Sequence, residues 1–357
     1  MSAHGVPDWV RFLVRAGQQA PSADNSQPWH FVWDGKCLSV HLDPVRGGAG
    51  LGLDHPANLM AIGAVIENLA QAAAVLGLPV EALKVGRRAA HEPFASVVWD
   101  GPVRLPGSDR EAGVFHRHTN RGAYHASPLD PTLVAQLAAM TEGPMRTIVV
   151  SETEQKKRLA SLLRDASEVR FQTEEIHRWL GGSLRFTPEE VERGDGLDAA
   201  TLLLPPGAVT LLKLSLDWRR MAVFNRIGAY KLFAFLEAAM LQQSAALLLV
   251  AGPAYGLGIE VAAGRLLERL WVTLNDQGVA VHPYYVLSDQ LHRLRAGLVS
   301  DRFVKSVAAA AGRVADFLGS AEETVFILLR VGFPKIDNPV RSRRLPAEGT
   351  LSVSIAQ

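Results

Sequence analysis

The chain has 357 residues, a formal net charge of +1 and an apolar fraction of 48%. This length allows one large domain or two moderate ones around a sizeable core, and the near-neutral charge gives no reason to expect nucleic acid or an anionic membrane as a partner. The single cysteine, Cys37, excludes an intrachain disulfide and a cysteine-rich zinc site.

Neither a membrane span nor a secretory signal is evident in the sequence. The longest apolar run, 238–251, is interrupted by Gln242, Gln243 and Ser244 and falls short of the roughly 20 apolar residues that cross a bilayer. The first residues lack the basic and apolar regions of a signal peptide. We therefore expect a cytoplasmic protein with no membrane or nucleic-acid partner.

A polar loop bounded by two prolines follows the first predicted helix, 9–20. Residues 21–28 have the sequence PSADNSQP, in which Asn25 and Gln27 can each donate and accept hydrogen bonds. The apolar residues 31–33 that follow predict a strand. Such a loop suits a planar ligand whose edge carries donors and acceptors, as an isoalloxazine or a pterin does. A plain polar turn between a helix and a strand is the alternative.

An internal repeat organises the chain. Residues 63–80 align without gaps with residues 264–281, and both stretches have the apolar period of a helix. We expect the last shared glycine to end each helix and the first to let the two helices cross closely. Two unrelated helices with the same pattern are the alternative. The shared positions are Gly63, Glu67 and Gly77 in the first stretch and Gly264, Glu268 and Gly278 in the second.

The repeat predicts two copies of one unit in tandem, residues 1–110 and 111–357. The second copy is longer because of an insertion at about 152–240, which contains an apolar loop at 202–206. Within the insertion, the residue pattern predicts helices at 152–178, 188–193, 209–214 and 221–239. We predict that part of 186–235, including this loop, covers a ligand site as a lid. A dimer interface or padding of the outer surface is the alternative.

A basic segment begins the second copy. Arg117, Thr119 and Arg121 alternate along the chain, so an extended conformation points all three side chains to one side. Two guanidiniums and a hydroxyl in this arrangement suit a phosphate group, which arginine contacts through paired hydrogen bonds. A solvated basic loop is the alternative.

A second basic segment follows the apolar strand predicted at 326–334. In the run 341–344, Arg341 and Arg343 form the alternating pair, and Arg344 is a substitute for either. A solvated basic tail is again the alternative.

The loop 21–29 and the segment 117–121 resemble the two halves of the cofactor site of the nitroreductase-like flavoproteins. That family binds FMN between two copies of one α+β fold, with a Pro-Ser-x-x-Asn-x-Gln-Pro-Trp loop from one copy and an Arg-x-Ser/Thr-x-Arg segment from the other. The resemblance implies an α+β fold of mainly antiparallel sheets surrounded by helices, duplicated in one chain. It also implies FMN contacts from Pro21, Ser22, Asn25, Gln27, Arg117, Thr119, Arg121, Pro283, Tyr284, Arg341 and Arg343.

The same resemblance implies an FMN-dependent oxidoreductase that transfers hydride or electrons through flavin N5 to or from a small molecule, with NADH or NADPH as the candidate donor. A non-catalytic protein that sequesters FMN under the lid is the alternative, and a flavin-free interaction module is a third. We expect a monomer that forms an internal pseudo-dimer, or a weak homodimer. The sequence identifies no catalytic residue, and it lacks the common zinc, dinucleotide and serine-hydrolase motifs.

Overall fold

Helices surround two five-stranded sheets in the computed structural model, which describes residues 5–48, 52–86, 92–205, 207–256 and 258–354. The predicted α+β class is confirmed, and among the described strands only the β1–β12 and β7–β8 pairs are parallel. The α-helices of these residues are α1 (Asp8–Gly17), α2 (Pro44–Gly48), α3 (Pro56–Val75), α4 (Pro131–Ala139), α5 (Thr153–Phe171), α6 (Glu174–Ser183), α7 (Pro188–Glu192), α8 (Ala208–Ser215), α9 (Trp218–Arg226), α10 (Ala229–Gln242), α11 (Ile259–Asp276), α12 (Val286–Arg295) and α13 (Asp301–Leu318). The strands are β1 (Trp29–Trp33), β2 (Cys37–Leu42), β3 (Leu83–Val85), β4 (Ala95–Val98), β5 (Thr141–Glu142), β6 (Met145–Val150), β7 (Leu184–Arg185), β8 (Leu197–Asp198), β9 (Ala246–Pro253), β10 (Ala280–Tyr284), β11 (Glu323–Gly332) and β12 (Leu351–Val353).

The two large sheets share one strand order. The first runs β12-β1-β2-β4-β3 and the second β10-β11-β9-β6-β5. In each sheet, four antiparallel strands follow the order first, second, fourth, third along the chain, and a long helix lies between the second and the third. Strand β12 completes the first sheet, with Leu351 opposite Phe31. Residues 351–353, near the C-terminus, therefore pair with residues 31–33 of the first unit.

The long helices α3 and α11 pack against each other at their glycines. A Cβ atom at Gly63 would overlap the carbonyl oxygen of Val261, and one at Gly264 would overlap that of Met60. The helix backbones therefore touch where the sequence predicts a close crossing. Side chains larger than a hydrogen atom do not fit at either glycine without moving a backbone.

Both helices end in the same way. Gly77 and Gly278 have φ angles of 73° and 70°, the left-handed conformation that glycine adopts without strain. One residue later, the N–H of Leu78 donates to Ala73 O and that of Val279 to Leu274 O, both at 2.9 Å. The predicted terminal glycines are confirmed, whereas the helices begin earlier than the aligned stretches.

The core has three parts, divided by the second sheet. The first sheet packs on α1 and α3 through side chains such as Trp29, Phe31 and Leu13. One face of the second sheet packs on α11, and its other face packs on α5, α12 and α13. Strands β9 and β11 are buried on both faces, which explains why they are almost continuously apolar rather than alternating.

One described helix, α3, is long and apolar enough to span a membrane, and 78% of its apolar window is buried inside the protein. The prediction that no segment approaches this length is wrong for α3. The length of an uninterrupted apolar run does not identify this helix, because it contains the polar residues Asn58, Glu67 and Asn68. These three side chains are buried and bind polar groups of neighbouring elements.

The insertion between β6 and β9 folds as helices α5–α10 with the short β7–β8 pair. The stretch 152–178, predicted as one helix, is two helices, because α5 ends at Phe171 and Thr173 precedes α6. The stretch 221–239 is also divided, at Gly228, whose φ of 89° is left-handed. The predicted helix at 188–193 is confirmed as α7, which begins with a reciprocal cap between Thr187 and Glu190.

Candidate functional site

The loop after α1 is held in an unusual conformation. Asp24, Asn25 and Gln27 have φ angles of 44°, 60° and 50°, in a region that side chains other than glycine adopt at a cost. The Ser22 hydroxyl accepts a hydrogen bond from the Gln27 N–H at 2.9 Å, which closes the loop on itself. Such strain persists only where the surrounding structure fixes it, and it is concentrated at functional sites.

The two amide side chains of the loop are buried and bound to main-chain carbonyls. Asn25 Nδ2 donates to the carbonyl oxygens of Gly196 and Arg343, both at 2.8 Å. Gln27 Nε2 donates to the carbonyl oxygen of Gly194 at 2.8 Å. The turn 194–196 of the insertion therefore lies directly on the loop, and its carbonyls occupy the donors that the sequence assigns to a planar ligand.

Arg117 lies in a buried charge cluster beside this loop. Its Nε is 3.0 Å from a carboxylate oxygen of Glu268 and donates to Gln19 O at 3.1 Å, and its guanidinium lies 4.6 Å from the ring centroid of Trp271. A second arginine, Arg344, donates to the same carbonyl of Gln19 at 3.4 Å. Two guanidiniums therefore lie near one carboxylate, which leaves an excess of positive charge.

Burial changes the protonation of this cluster. Burial raises the pKa of Glu268 to about 7, against the opposing effect of Arg117. Burial, together with the charge of Arg117, lowers the pKa of Arg344 to about 9. The lowered pKa of Arg344 indicates that its charge is not fully compensated, so an added anion would stabilise the charged arginine.

The middle of the segment 117–121 lies along strand β10, and its last residue, Arg121, contacts the insertion. Thr119 pairs with Val281, and the Asn120 N–H donates to Val281 O at 2.9 Å. Arg121 donates to the Thr201 hydroxyl at 3.4 Å. Burial raises the pKa of the Asp24 carboxyl, and the nearby charge of Arg121 opposes this rise.

Strand β10 brings Pro283 and Tyr284 to the same region. Pro283 lacks an N–H, which is tolerated because β10 is an edge strand. Tyr284 is buried, and burial raises the pKa of its hydroxyl. Its ring centroid lies 4.4 Å from that of His282, whose pKa falls well below its usual value because of burial and the charges of Arg121 and Arg330.

His282, Arg330 and Asp24 also belong to this buried polar cluster, although the sequence alone did not predict them as site residues. His282 Nδ1, Arg330 Nε and Asp24 Oδ2 are buried and have no hydrogen-bond partner among the described residues. Unpartnered buried polar atoms are costly, and a group of them suits a polar ligand that could hydrogen-bond to them. The signal in the sequence is the alternation of His282 and Tyr284 along an otherwise apolar sheet.

The C-terminal arginines differ in placement. Arg341 is exposed and lies 3.1 Å from His118 Nδ1. Arg343 is also exposed, and its carbonyl oxygen, rather than its side chain, meets Asn25. The side chain that enters the loop is that of Arg344, which donates to Asn25 Oδ1. The structure thus connects Ser22, Asn25 and Gln27 of the loop with Arg344 and, through Gln19, with Arg117 and Glu268. It places Thr119 against Val281 of β10, which also carries Pro283 and Tyr284, and the charge of Arg121 acts on both Asp24 and Tyr284.

The region around Glu67, the repeat counterpart of Glu268, is electrically balanced. Arg269 donates to Glu67 and to Glu142, each at 2.8 Å, and Arg265 is 3.3 Å from Glu67 and also pairs with Glu142. Two arginines thus meet two carboxylates. Of the two repeated glutamates, it is Glu268 that has two arginines, Arg117 and Arg344, beside a single carboxylate. No group of three or more His, Cys, Asp or Glu residues that could hold a metal occurs in the described part of the chain.

No protein-family model matches the chain. It is 26% identical over 293 residues to an uncharacterized protein of Mycobacterium tuberculosis (strain CDC 1551 / Oshkosh), an alignment that spans 76% of this chain but only 38% of that protein. It is also 26% identical over 294 residues to the probable NAD(P)H nitroreductase PigM of Serratia sp. (strain ATCC 39006), across 77% of this chain and 79% of that protein.

Solved structures similar to the chain include two nitroreductases named NfnB. The FMN-dependent NfnB of Mycobacterium smegmatis, in complex with NADPH, is 16% identical with a TM-score of 0.39, over 68% of this chain and 96% of that one. An FMN- and NADPH-dependent NfnB of Sphigopyxis sp. strain HMH is 16% identical with a TM-score of 0.37, over 68% and 97%.

Proposed function

We propose that the protein is an FMN-dependent oxidoreductase of the nitroreductase-like kind. The observation that carries this proposal is the convergence of the loop 21–28 with Arg117, Arg121 and Arg344 around a buried excess of positive charge. The 26% identity to PigM, a probable NAD(P)H nitroreductase, supports the same reaction class.

The residues present fit the phosphate end of FMN. Arg117 and Arg344 are near a single carboxylate, Glu268, and both lie at the loop. Arginine binds phosphate through paired charge-assisted hydrogen bonds, so a phosphate would neutralise the surplus charge. Arg121 and Thr119, farther along the same segment, would hold the chain between phosphate and ring.

The ring end fits when the insertion moves. Asn25 and Gln27 would meet the polar edge of the ring, and Pro283 and Tyr284 would lie along it. In this structure the side-chain amides of Asn25 and Gln27 instead donate to the carbonyl oxygens of Gly196 and Gly194. The turn 194–196 must therefore withdraw before these amides can bind a flavin.

Bound FMN supplies hydride or electron transfer through N5. The protein supplies binding and orientation: the arginines fix the phosphate, the loop orients the ring, and the buried cluster of His282 and Tyr284 excludes water beside it. The proposed substrate is a small molecule, with NADH or NADPH as the donor.

One observation favours a second candidate function, the sequestration of FMN. The insertion contacts the site twice, through the turn 194–196 on Asn25 and Gln27 and through Thr201 and Leu203 beside Arg121 and Gly122. An insertion that closes over bound flavin would hide it from donors. This is the proposed lid, and it includes Leu203 of the apolar loop; Pro206 lies outside the described residues.

We also propose that the chain is a tandem duplication that mimics a homodimer, with halves 1–110 and 111–357. The shared strand order, the reciprocal glycine contacts of α3 and α11 and their identical helix ends support this origin. A chain that contains both halves of its own site can work as a cytoplasmic monomer, and this is the proposed state and location.

Anaerobic stopped-flow reduction of the reconstituted flavoprotein tests the proposed function. An oxidoreductase predicts bleaching of the oxidised flavin by NADH or NADPH, at a rate that saturates with donor. A sequestering protein predicts that flavin is bound but resists both donors while dithionite still reduces it. Protein that binds no FMN under any condition contradicts both functions.

A further inference from the structure

Exposed apolar side chains are concentrated in one part of the insertion. Nine of the 21 large apolar residues that are exposed in the described chain fall within residues 204–236, on or beside helices α8, α9 and α10. We refer to this surface as the α8–α10 face. It consists of Leu204, Val209, Leu211, Leu214, Val223, Ile227, Leu232, Phe235 and Leu236.

The exposed apolar side chains of helix α10 belong to a helix that is packed against the rest of the protein. Its Ala234, Ala238 and Leu241 are buried on the side that packs against α5. Leu232 and Leu236 occupy the opposite side, Phe235 lies on the flank between the two sides, and all three are 54–57% exposed. The helix is therefore apolar on both sides, and one of them has no partner among the described residues. A helix that packs on one side and is apolar on its exposed side indicates a docking surface.

The exposed charges around this face are mostly positive. Lys213, Arg219, Arg220, Arg226 and Lys231 are exposed, and none is ion-paired within the described residues. The one exposed acid on these helices and their caps, Asp217, accepts from the Arg219 N–H at 2.7 Å and caps α9. The chain's net charge of +1 hides this local excess, because acidic residues elsewhere balance it.

A pocket of about 140 Å³ adjoins the face between α5 and α10. Phe235 belongs to both the pocket and the face, and Ala160 and Ala238 form the apolar part of the pocket wall. Lys157 and Arg164 also line the pocket, and each has a carboxylate neighbour, Glu154 at 2.8 Å and Asp165 at 3.9 Å. Apolar walls with cationic side chains suit an anionic amphiphile.

We propose that the α8–α10 face docks on an anionic lipid surface. Helices with exposed Leu, Ile and Phe beside Lys and Arg lie in the plane of a membrane interface, where apolar side chains enter the acyl boundary and cations meet anionic headgroups. A second copy of the chain is a poorer partner, because a twofold contact would set the five cations of one copy against those of the other. This proposal revises the expectation, drawn from net charge, that no membrane is a partner.

Flotation with lipid vesicles tests the proposal. The full chain is mixed with vesicles of phosphatidylcholine alone or with equal parts of phosphatidylglycerol, at low and high salt. We expect flotation with the anionic vesicles at low salt, weakened by salt, and little with phosphatidylcholine. Replacing Arg219, Arg220 and Lys231 with glutamine should weaken binding by about fivefold per residue. The matched control replaces the exposed Arg104, Arg110 and Lys36 and should float like the wild type.

An apolar variant separates lipid docking from a charge effect. Leu232→Ser, Phe235→Ser and Leu236→Ser together should abolish flotation, while the far-ultraviolet circular dichroism spectrum remains that of the folded wild type, since about half of each side chain is exposed. Three exposed valines of the first half, Val45, Val80 and Val98, replaced by serine, are the control. The proposal is overturned if the wild type does not float with anionic vesicles, or if light scattering shows a dimer that the apolar triple variant dissolves.

Discussion

Gly63 and Gly264 occupy reciprocal positions in the contact between α3 and α11. Each lies against the backbone of the residue that precedes the other glycine by three positions, Val261 for Gly63 and Met60 for Gly264. A contact in which residue i meets j and j meets i is the mark of a twofold interface. Within one chain it relates two segments of similar sequence, which is the geometry expected if one chain takes the place of a dimer.

Substitution at this crossing should be costly. Gly63→Ala or Gly264→Ala places a Cβ against a carbonyl oxygen, so the helices must separate, and we expect a loss of about 1–3 kcal/mol of unfolding free energy. Gly312→Ala is the control, because a Cβ there meets nothing within 4 Å in helix α13. It should stabilise the helix by up to about 1 kcal/mol. Urea unfolding of the three variants measures both effects; equal effects at all three sites would contradict the close crossing.

The protonation of Glu268 predicts a pH dependence of stability. Its folded pKa, about 7, lies above the ordinary value of 4.5, so the folded state binds more protons than the unfolded state between these values. Stability should therefore fall as pH rises from 4.5 to 7, by at most about 1.4 kcal/mol per pH unit. Glu268→Gln should remove this slope from flavin-free protein. The difference between the two curves of unfolding free energy against pH measures it, and parallel curves would show that the pKa of Glu268 is the same in the folded and unfolded states.

Arg344 and Arg343 form a matched pair for the phosphate site. Arg344→Met removes a guanidinium that lies at Asn25, whereas Arg343→Met removes an exposed side chain. We expect the first to weaken FMN binding by roughly tenfold or more and the second to change it little. Flavin fluorescence titration gives both dissociation constants. A larger loss in Arg343→Met would return the phosphate contact to the arginine that the sequence favours.

The turn 194–196 should compete with flavin for the loop. Asp195 holds this turn through two hydrogen bonds from Arg185, at 3.1 and 3.0 Å. Asp195→Ala should loosen the turn, speed FMN association and speed reduction of the bound flavin. Glu174→Ala breaks another ion pair of the insertion, between Arg178 and Glu174 in α6, and should leave both rates unchanged. Stopped-flow fluorescence follows association; an unchanged rate in Asp195→Ala would mean that the turn is not the barrier.

Local patterns in the sequence predicted the repeat helices, their terminal glycines and the crossing, because each depends on residue types at fixed spacing. The pattern was weaker for β9, where burial on both faces removes the alternation that marks a strand. The convergence of Asn25 with Gly196 and Arg344 was not predictable, since these residues are far apart in sequence and meet only through the tertiary fold. The repeat identifies Glu268 as a shared position, but its pairing with Arg117 could not be predicted because the two residues are far apart in the sequence.

The measurement that tests the central claim most directly is the stoichiometry of FMN binding, determined by titration of flavin-free protein together with its molar mass in solution. A chain that builds one complete site from two halves predicts one FMN per chain in a monomer. It also predicts that Arg117→Met, with its buried guanidinium removed, binds FMN at least tenfold more weakly. Failure of the wild-type monomer to bind FMN would contradict the account. So would FMN binding that occurs only in a dimer and is lost in the variant with Leu232, Phe235 and Leu236 replaced by serine.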